Sequence, residues 1–251
     1  MRAATTGNGL GPSIAPTVDA DNPWPGPEAF READQQFFFG RDIACRSLTR
    51  LVLQSRLTIL YGRSGLGKTS LLRAGLFPRL RDTSSLPVYV RLSWDEGLSL
   101  TARGLRVQVK RAIEQATADH HIDGPVLADD QTLWEWFFRS EEWFFTERSH
   151  RVRPVLVFDQ FEEIFTHGRS SPSVSAAASQ FLEELVDLVR GSMPTTVAER
   201  LASDATGVRT FDPGGDPCGV LIALRQEFLA DLLRLRPRLP SLLDHRFELS
   251  A

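Results

Sequence analysis

The chain has 251 residues, of which 42% are apolar and 24% charged, the make-up of a soluble globular domain with a substantial core. The formal net charge of -3 excludes a strong field for nucleic acid, and two cysteines, Cys45 and Cys218, exclude a disulfide or cysteine–metal framework. No apolar run approaches the length of a membrane span and the N-terminus lacks the apolar core of a signal peptide, so no membrane contact and a cytoplasmic location are expected.

Residues 1–22 are rich in Gly, Ala, Thr, Pro and Asn without periodicity and read as a disordered tail; the folded domain is expected over 23–251. Pro23-Trp24-Pro25-Gly26-Pro27 is turn-rich, and Phe30 to Phe39 carries an apolar cluster that runs into Gly40-Arg41-Asp42. A helix from about Ile43 to Gln54 leads to a first strand, Leu57 to Tyr61, and a second strand falls at Pro87 to Arg91. Leu105, Val109, Ala112 and Ile113 share one helical face. Asp119 to Gly124, with His120 and His121, reads as a loop and not as a metal site. Leu133 to Phe145 reads as a helix whose Trp134, Phe137, Phe138, Trp143, Phe144 and Phe145 form a core face in preference to a partner-binding stripe. A third strand, Arg153 to Phe158, is followed by a loop from His167 to Ser175 and a helix marked by Phe181, Leu182, Leu185, Leu188 and Val189. A tight loop, Pro213 to Pro217, enters a fourth strand, Gly219 to Leu224. Another apolar face follows at Phe228 to Leu235, and a last short strand at Arg246 to Leu249. Strands alternating with helices predict an α/β fold of three layers, with a parallel sheet of about five strands covered by helices on both sides.

The stretch Leu57 to Leu72 carries the most chemistry. Gly62-Arg63-Ser64-Gly65-Leu66-Gly67-Lys68-Thr69, followed by Ser70, fits G-x-x-x-x-G-K-[ST], the phosphate-binding loop of nucleoside triphosphatases. The glycines let backbone N–H groups wrap phosphate where a Cβ would intrude. The helix starting near Lys68 aims its free N–H groups and positive dipole end at the same anion. Lys68 is expected on the β- and γ-phosphates and the Thr69 hydroxyl on Mg²⁺. An ordinary glycine turn is the competing reading; the strand before and Leu71-Leu72 after supply the context the motif requires.

Two strand ends extend the site. Val155-Leu156-Val157-Phe158 runs into Asp159-Gln160-Phe161-Glu162-Glu163, which sets Asp159 at the tip of a buried strand as the second Mg²⁺ ligand. Glu162 is the expected base for the attacking water, with Glu163 polarising the site or sharing the task; both also suit an ordinary acidic helix start. The fourth strand ends at Arg225, expected to sense the γ-phosphate or pair with a catalytic carboxylate; the plainer alternative is a surface arginine.

Together, Gly62 to Ser70, Asp159 to Phe165 and Leu221 to Leu229 resemble the conserved parts of STAND NTPases, and in particular the bacterial novel STAND NTPase 1 domain, nSTAND1. The opening of that family is a proline, an aromatic, a variable residue and a glycine, then a phenylalanine, then Phe-Phe-Gly-Arg. Pro23-Trp24-Pro25-Gly26, Phe30 and Phe38-Phe39-Gly40-Arg41 correspond. Ala29 stands where the family has a second proline, and Pro27-Glu28 where it has Leu-Arg. The resemblance implies an AAA-like P-loop domain with a 5-1-4-3-2 sheet, ATP with Mg²⁺, and Phe39, Gly40 and Arg41 near base and ribose. It implies a signalling or defence switch that hydrolyses ATP slowly, held active and associated by ATP. It also implies that the chain stops after the fifth strand, without the helical lid and winged-helix part. Either the chain is a fragment or stand-alone remnant, or self-association or a separate sensor or effector chain supplies those parts. Two other classes compete: an AAA-like ATPase acting on nucleic acid, which would need a basic face, and a non-hydrolysing nucleotide-binding interaction module.

Overall fold

Three apolar runs, Leu57 to Leu60, Val155 to Phe158 and Val220 to Leu224, are strands buried on both faces, the pattern of a parallel sheet covered on each side. The computed structural model describes residues 18–94, 101–139, 143–203, 211–212 and 214–250. The first half runs α1 Asp42–Gln54, β1 Leu57–Gly62, α2 Lys68–Ser70, α3 Phe77–Arg81, β2 Ser85–Val90, α4 Ala102–Asp119 and β3 Ile122–Asp123. The second runs α5 Leu133–Phe138, β4 Phe144–Thr146, β5 Arg151–Phe158, α6 Glu163–His167, α7 Pro172–Arg190, α8 Thr195–Ser203, β6 Gly219–Arg225, α9 Leu229–Leu232 and β7 Arg246–Glu248. A π-helical segment, Leu71–Leu76, joins α2 to α3, so one continuous helical run follows the glycine loop.

Parallel pairing places β1 between β7 and β6, β6 against β5, and β5 against β2. Alternate side chains of these strands feed two cores. Ile59, Val88, Leu156 and Ile222 pack with α4, α5 and α7 residues such as Val109, Trp134 and Phe181. Leu60, Val155, Val157, Leu221 and Ala223 pack with Leu48 of α1 and with Leu72, Leu76 and Leu80 of the run after the loop. Because these strands are parallel, Gly62, Phe158 and Arg225 finish at one sheet edge, with Arg225 in register with Gly62. Crossovers in such a sheet leave a crevice at that edge.

The structure corrects the expected all-parallel, five-stranded sheet. Among the described residues the sheet has seven strands, because β3 and β4 add antiparallel pairing beside β5. The expected helix from Leu133 to Phe145 is therefore short. It starts on a capping box in which Thr132 and Glu135 satisfy each other's backbone N–H, and ends at Phe138. Residues 140–142 of that stretch lie outside the described residues, and Phe144 pairs with Val152 in a hairpin. Aromatic runs suit either element, and packing decides. Trp134, Phe137, Phe138 and Phe144 are buried, so these aromatics are core.

The expected loop from His167 to Ser175 is also corrected. Helix α6 reaches His167 and α7 starts at Pro172, where the Ser171 hydroxyl accepts the Val174 N–H at 3.3 Å. Proline at the first helical position and serine before it make a strong start. Helix α8 and strand β3, within a stretch read as a loop, were not legible. The expected tail lies outside the described residues up to position 17; Asp19 closes a turn over the rest by accepting the N–H groups of Asp21 and Asn22. Pro213 of the expected tight loop is likewise outside the described residues. No helix among the described residues is long and apolar enough to cross a membrane.

Candidate nucleotide site

The site grows from the edge where β1, β5 and β6 end. After Gly62 the chain turns through Gly65 and Gly67, at φ of 78° and 84°, before the first helical bond from the Leu71 N–H to the Gly67 carbonyl at 2.8 Å. Those left-handed conformations favour glycine, and a Cβ at either position would meet no protein atom within 4 Å. Lys68 extends back along the loop, its Nζ donating to the carbonyls of Gly62 at 2.8 Å and Arg63 at 2.9 Å. Burial pulls the Lys68 ammonium below its usual range, Glu162 and Asp159 push the other way, and Arg225 adds to the lowering.

A cavity of about 480 Å³ opens on this loop. Ser64, Gly65, Gly67, Lys68, Thr69 and Ser70 line it from the loop, Asp159, Gln160 and Glu162 from the end of β5, and Arg225 from the end of β6. The Thr69 hydroxyl donates to Asp159 Oδ2 at 2.7 Å, across ninety positions of sequence. Asp159 also accepts the Tyr89 hydroxyl at 3.0 Å and the Gln160 N–H at 3.0 Å. Burial, and then the Asp159 charge, hold the Tyr89 phenol far above its usual range, so it stays a donor. Asp159 is 3% exposed and, among the described residues, has no ion-pair partner; three neutral donors surround it. A buried carboxylate beside a hydroxyl, without an ion-pair partner within reach, suits a hard divalent cation that completes its shell with water and phosphate oxygen. The described residues contain no cluster of three or more His, Cys, Asp or Glu that could hold a metal ion.

The two glutamates part company. Glu162 is 6% exposed and faces the cavity, where Arg225 grips both oxygens: Nε at 3.0 Å from Oε1 and the backbone N–H at 3.1 Å from Oε2. Glu163, the first residue of α6, turns away to the Arg91 guanidinium at 3.2 Å and does not line the cavity. Arg63 and Leu66 are also absent from the cavity wall. Neither Phe39, Gly40 nor Arg41 lines it. Phe39 is 77% exposed over a separate hollow with Phe38 and Ala74, and Arg41 donates to the Ser250 carbonyl at 2.7 Å. The far wall is instead Trp24 to Phe30. A smaller hollow between α6, α7 and α9 is rimmed by the pairs Arg169–Asp231 and Arg238–Glu183, and no expected site residue lines it.

Three further parts of the cavity and its support are Tyr89, Gln160 and the segment from Trp24 to Phe30. Tyr89 carries the polar atom of an otherwise apolar strand end, a usable signal. Gln160 follows Asp159 at a φ of 54°, a conformation unusual outside glycine that no sequence pattern announces. The Trp24–Phe30 wall depends on chain folding far from the loop in sequence.

A glycine loop between β1 and a helix, at the carboxyl edge of parallel strands covered on both faces, defines the P-loop NTPase class of α/β fold. Within that class the chain belongs to the novel STAND NTPase 1 family, whose model matches residues 23–251. No curated protein sequence matches the chain significantly. Among solved structures it is similar to the Walker-type ATPase PABY2304 of Pyrococcus abyssi, at 16% identity and a TM-score of 0.54, over 88% of this chain and 55% of that one. It is also similar to the Aeropyrum pernix ORC2 protein, at 14% identity and a TM-score of 0.49, over 84% of this chain and 48% of that one. At 16% identity the first likeness bears on the fold alone. The chain spans about half the length of these structures.

Proposed function

We propose that this chain is the ATP-binding and slowly hydrolysing module of a bacterial signalling or defence switch. The observation that carries the reading is the 2.7 Å contact between Thr69 and Asp159 beside Lys68, in one cavity with Glu162 and Arg225. Thr69 and Asp159 would hold Mg²⁺, which when bound neutralises charge on the β- and γ-phosphates. Lys68 exchanges its two loop carbonyls for phosphate oxygens, and the N–H groups of Gly65, Gly67, Lys68 and Thr69 wrap the same anion. Glu162 orients the attacking water and takes its proton as the bond to the leaving phosphate oxygen breaks. Its burial and the grip of Arg225 fix its direction. Arg225, half exposed, has guanidinium donors beyond the one spent on Glu162, available to the γ-phosphate. While Arg225 holds both carboxylate oxygens the base is engaged, which favours slow turnover over rapid cycling. Family membership supports the switch role, with self-association or a separate sensor or effector chain as the partner.

The test is a calorimetric titration of MgATP into the wild-type chain and Lys68→Ala, followed by a phosphate-release assay. Lys68→Ala should lose most ATP affinity, because the phosphates lose their charged partner. Equal binding by both proteins would remove the nucleotide from this loop.

A further inference from the structure

The nucleotide cavity is graded in polarity. Its loop end carries Lys68, Thr69, Asp159, Glu162 and Arg225, whereas on the wall from Trp24 to Phe30 only Glu28 is charged. That wall is held in shape. Pro25 is buried, Gly26 turns the chain at a φ of 66°, and the Phe30 N–H donates to the Ser70 hydroxyl at 3.2 Å, one residue beyond Thr69. Phe30 is in turn braced on Phe38, with ring centroids 5.5 Å apart. Trp24 is the exception. Its ring meets that of Phe30 at 6.4 Å and 64°, yet the residue is 71% exposed on the cavity wall. A large exposed indole on a braced backbone, facing a phosphate-binding end, matches a ligand with a polyanion at one end and a flat aromatic ring at the other.

We propose that Trp24 is the nucleobase-stacking wall of this cavity. The inference rests on the nucleotide reading above and assigns the base a place away from Phe39 and Arg41. Base–aromatic stacking is strong enough to be measured by truncation, and it acts on the base without touching the phosphates. The Ser70–Phe30 bond ties the stacking wall to the helix start that receives the phosphates.

The experiment compares wild type, Trp24→Ala and Trp24→Phe in titrations with MgATP and with magnesium tripolyphosphate, which has no base. Trp24→Ala should weaken MgATP by about 5- to 100-fold, Trp24→Phe should recover most of that loss, and tripolyphosphate should bind all three alike. An MgATP affinity of Trp24→Ala equal to that of wild type would overturn the stacking role while leaving the nucleotide reading intact. Equal losses for MgATP and tripolyphosphate would also overturn it, making Trp24 a prop of the loop. Wild type binding neither probe would overturn the nucleotide reading itself.

Discussion

Arg225 and Lys68 are the two cationic side chains among the described residues lining the cavity, and under the proposed function each makes a separable prediction. Arg225 has its Nε on Glu162 and is one of the residues lining the cavity. Only ATP presents a γ-phosphate, so Arg225→Ala should lower the ATP-to-ADP affinity ratio. A charge-assisted hydrogen bond contributes about 1.5–3 kcal/mol. The guanidinium is 51% exposed, so solvent screening puts the effect near the lower end. Competition binding of both nucleotides measures it, and an unchanged ratio returns Arg225 to a purely structural pairing with Glu162. For Lys68, burial lowers the folded pKa from 10.5. Phosphate binds the charged ammonium, so affinity holds below the lowered pKa and falls as pH rises through it. The alkaline loss of MgATP affinity should therefore begin earlier than an ordinary lysine would dictate. In Lys68→Arg, which keeps its charge, the affinity should stay flat across the same range. An affinity of the wild type that stays level up to pH 10.5 would contradict this.

At the scale of elements, the helical run behind the loop is the part most sensitive to packing. Gly75 lies in its π-helical segment, and a Cβ there would come 2.5 Å from Cys45 Sγ and 3.2 Å from Phe38 Cε1. Alanine normally stabilises a helix relative to glycine by about 1 kcal/mol. Here both obstructing groups are packed, Cys45 being 1% exposed, so Gly75→Ala should destabilise by roughly 1–3 kcal/mol in urea unfolding. Adding Cys45→Ala should restore part of the loss; a single variant as stable as wild type would contradict the contact. The elements legible in the sequence were those with local signals: the glycine loop, the apolar runs of β1, β2, β5 and β6, the short strand β7, and the apolar faces of α1, α4 and α7. Those missed are set by partners distant in sequence. Phe144 and Phe145 join a hairpin and not α5 because Val152 and Arg151 lie opposite them. Trp24 joins the site through a bond between Phe30 and Ser70, forty positions apart. Asp159, by contrast, was legible, because an apolar run ending in a carboxylate marks a strand tip at the sheet edge.

For the whole molecule, strands from three parts of the chain end at one cavity. The glycine loop, Asp159 and Glu162 come from the ends of β1 and β5 and the start of α6, and their convergence depends on the parallel register that puts Gly62 beside Arg225. Binding without cleavage would make the chain a nucleotide-held interaction module. Phosphate release from MgATP, measured with bound nucleotide in wild type, Glu162→Gln and Glu163→Gln, separates the two. Wild type and Glu163→Gln should release phosphate slowly. Glu162→Gln should retain ATP with release lowered by about 100-fold or more, the scale of losing a general base. Release by Glu162→Gln at the wild-type rate, with Glu163→Gln inactive, would move the base to Glu163.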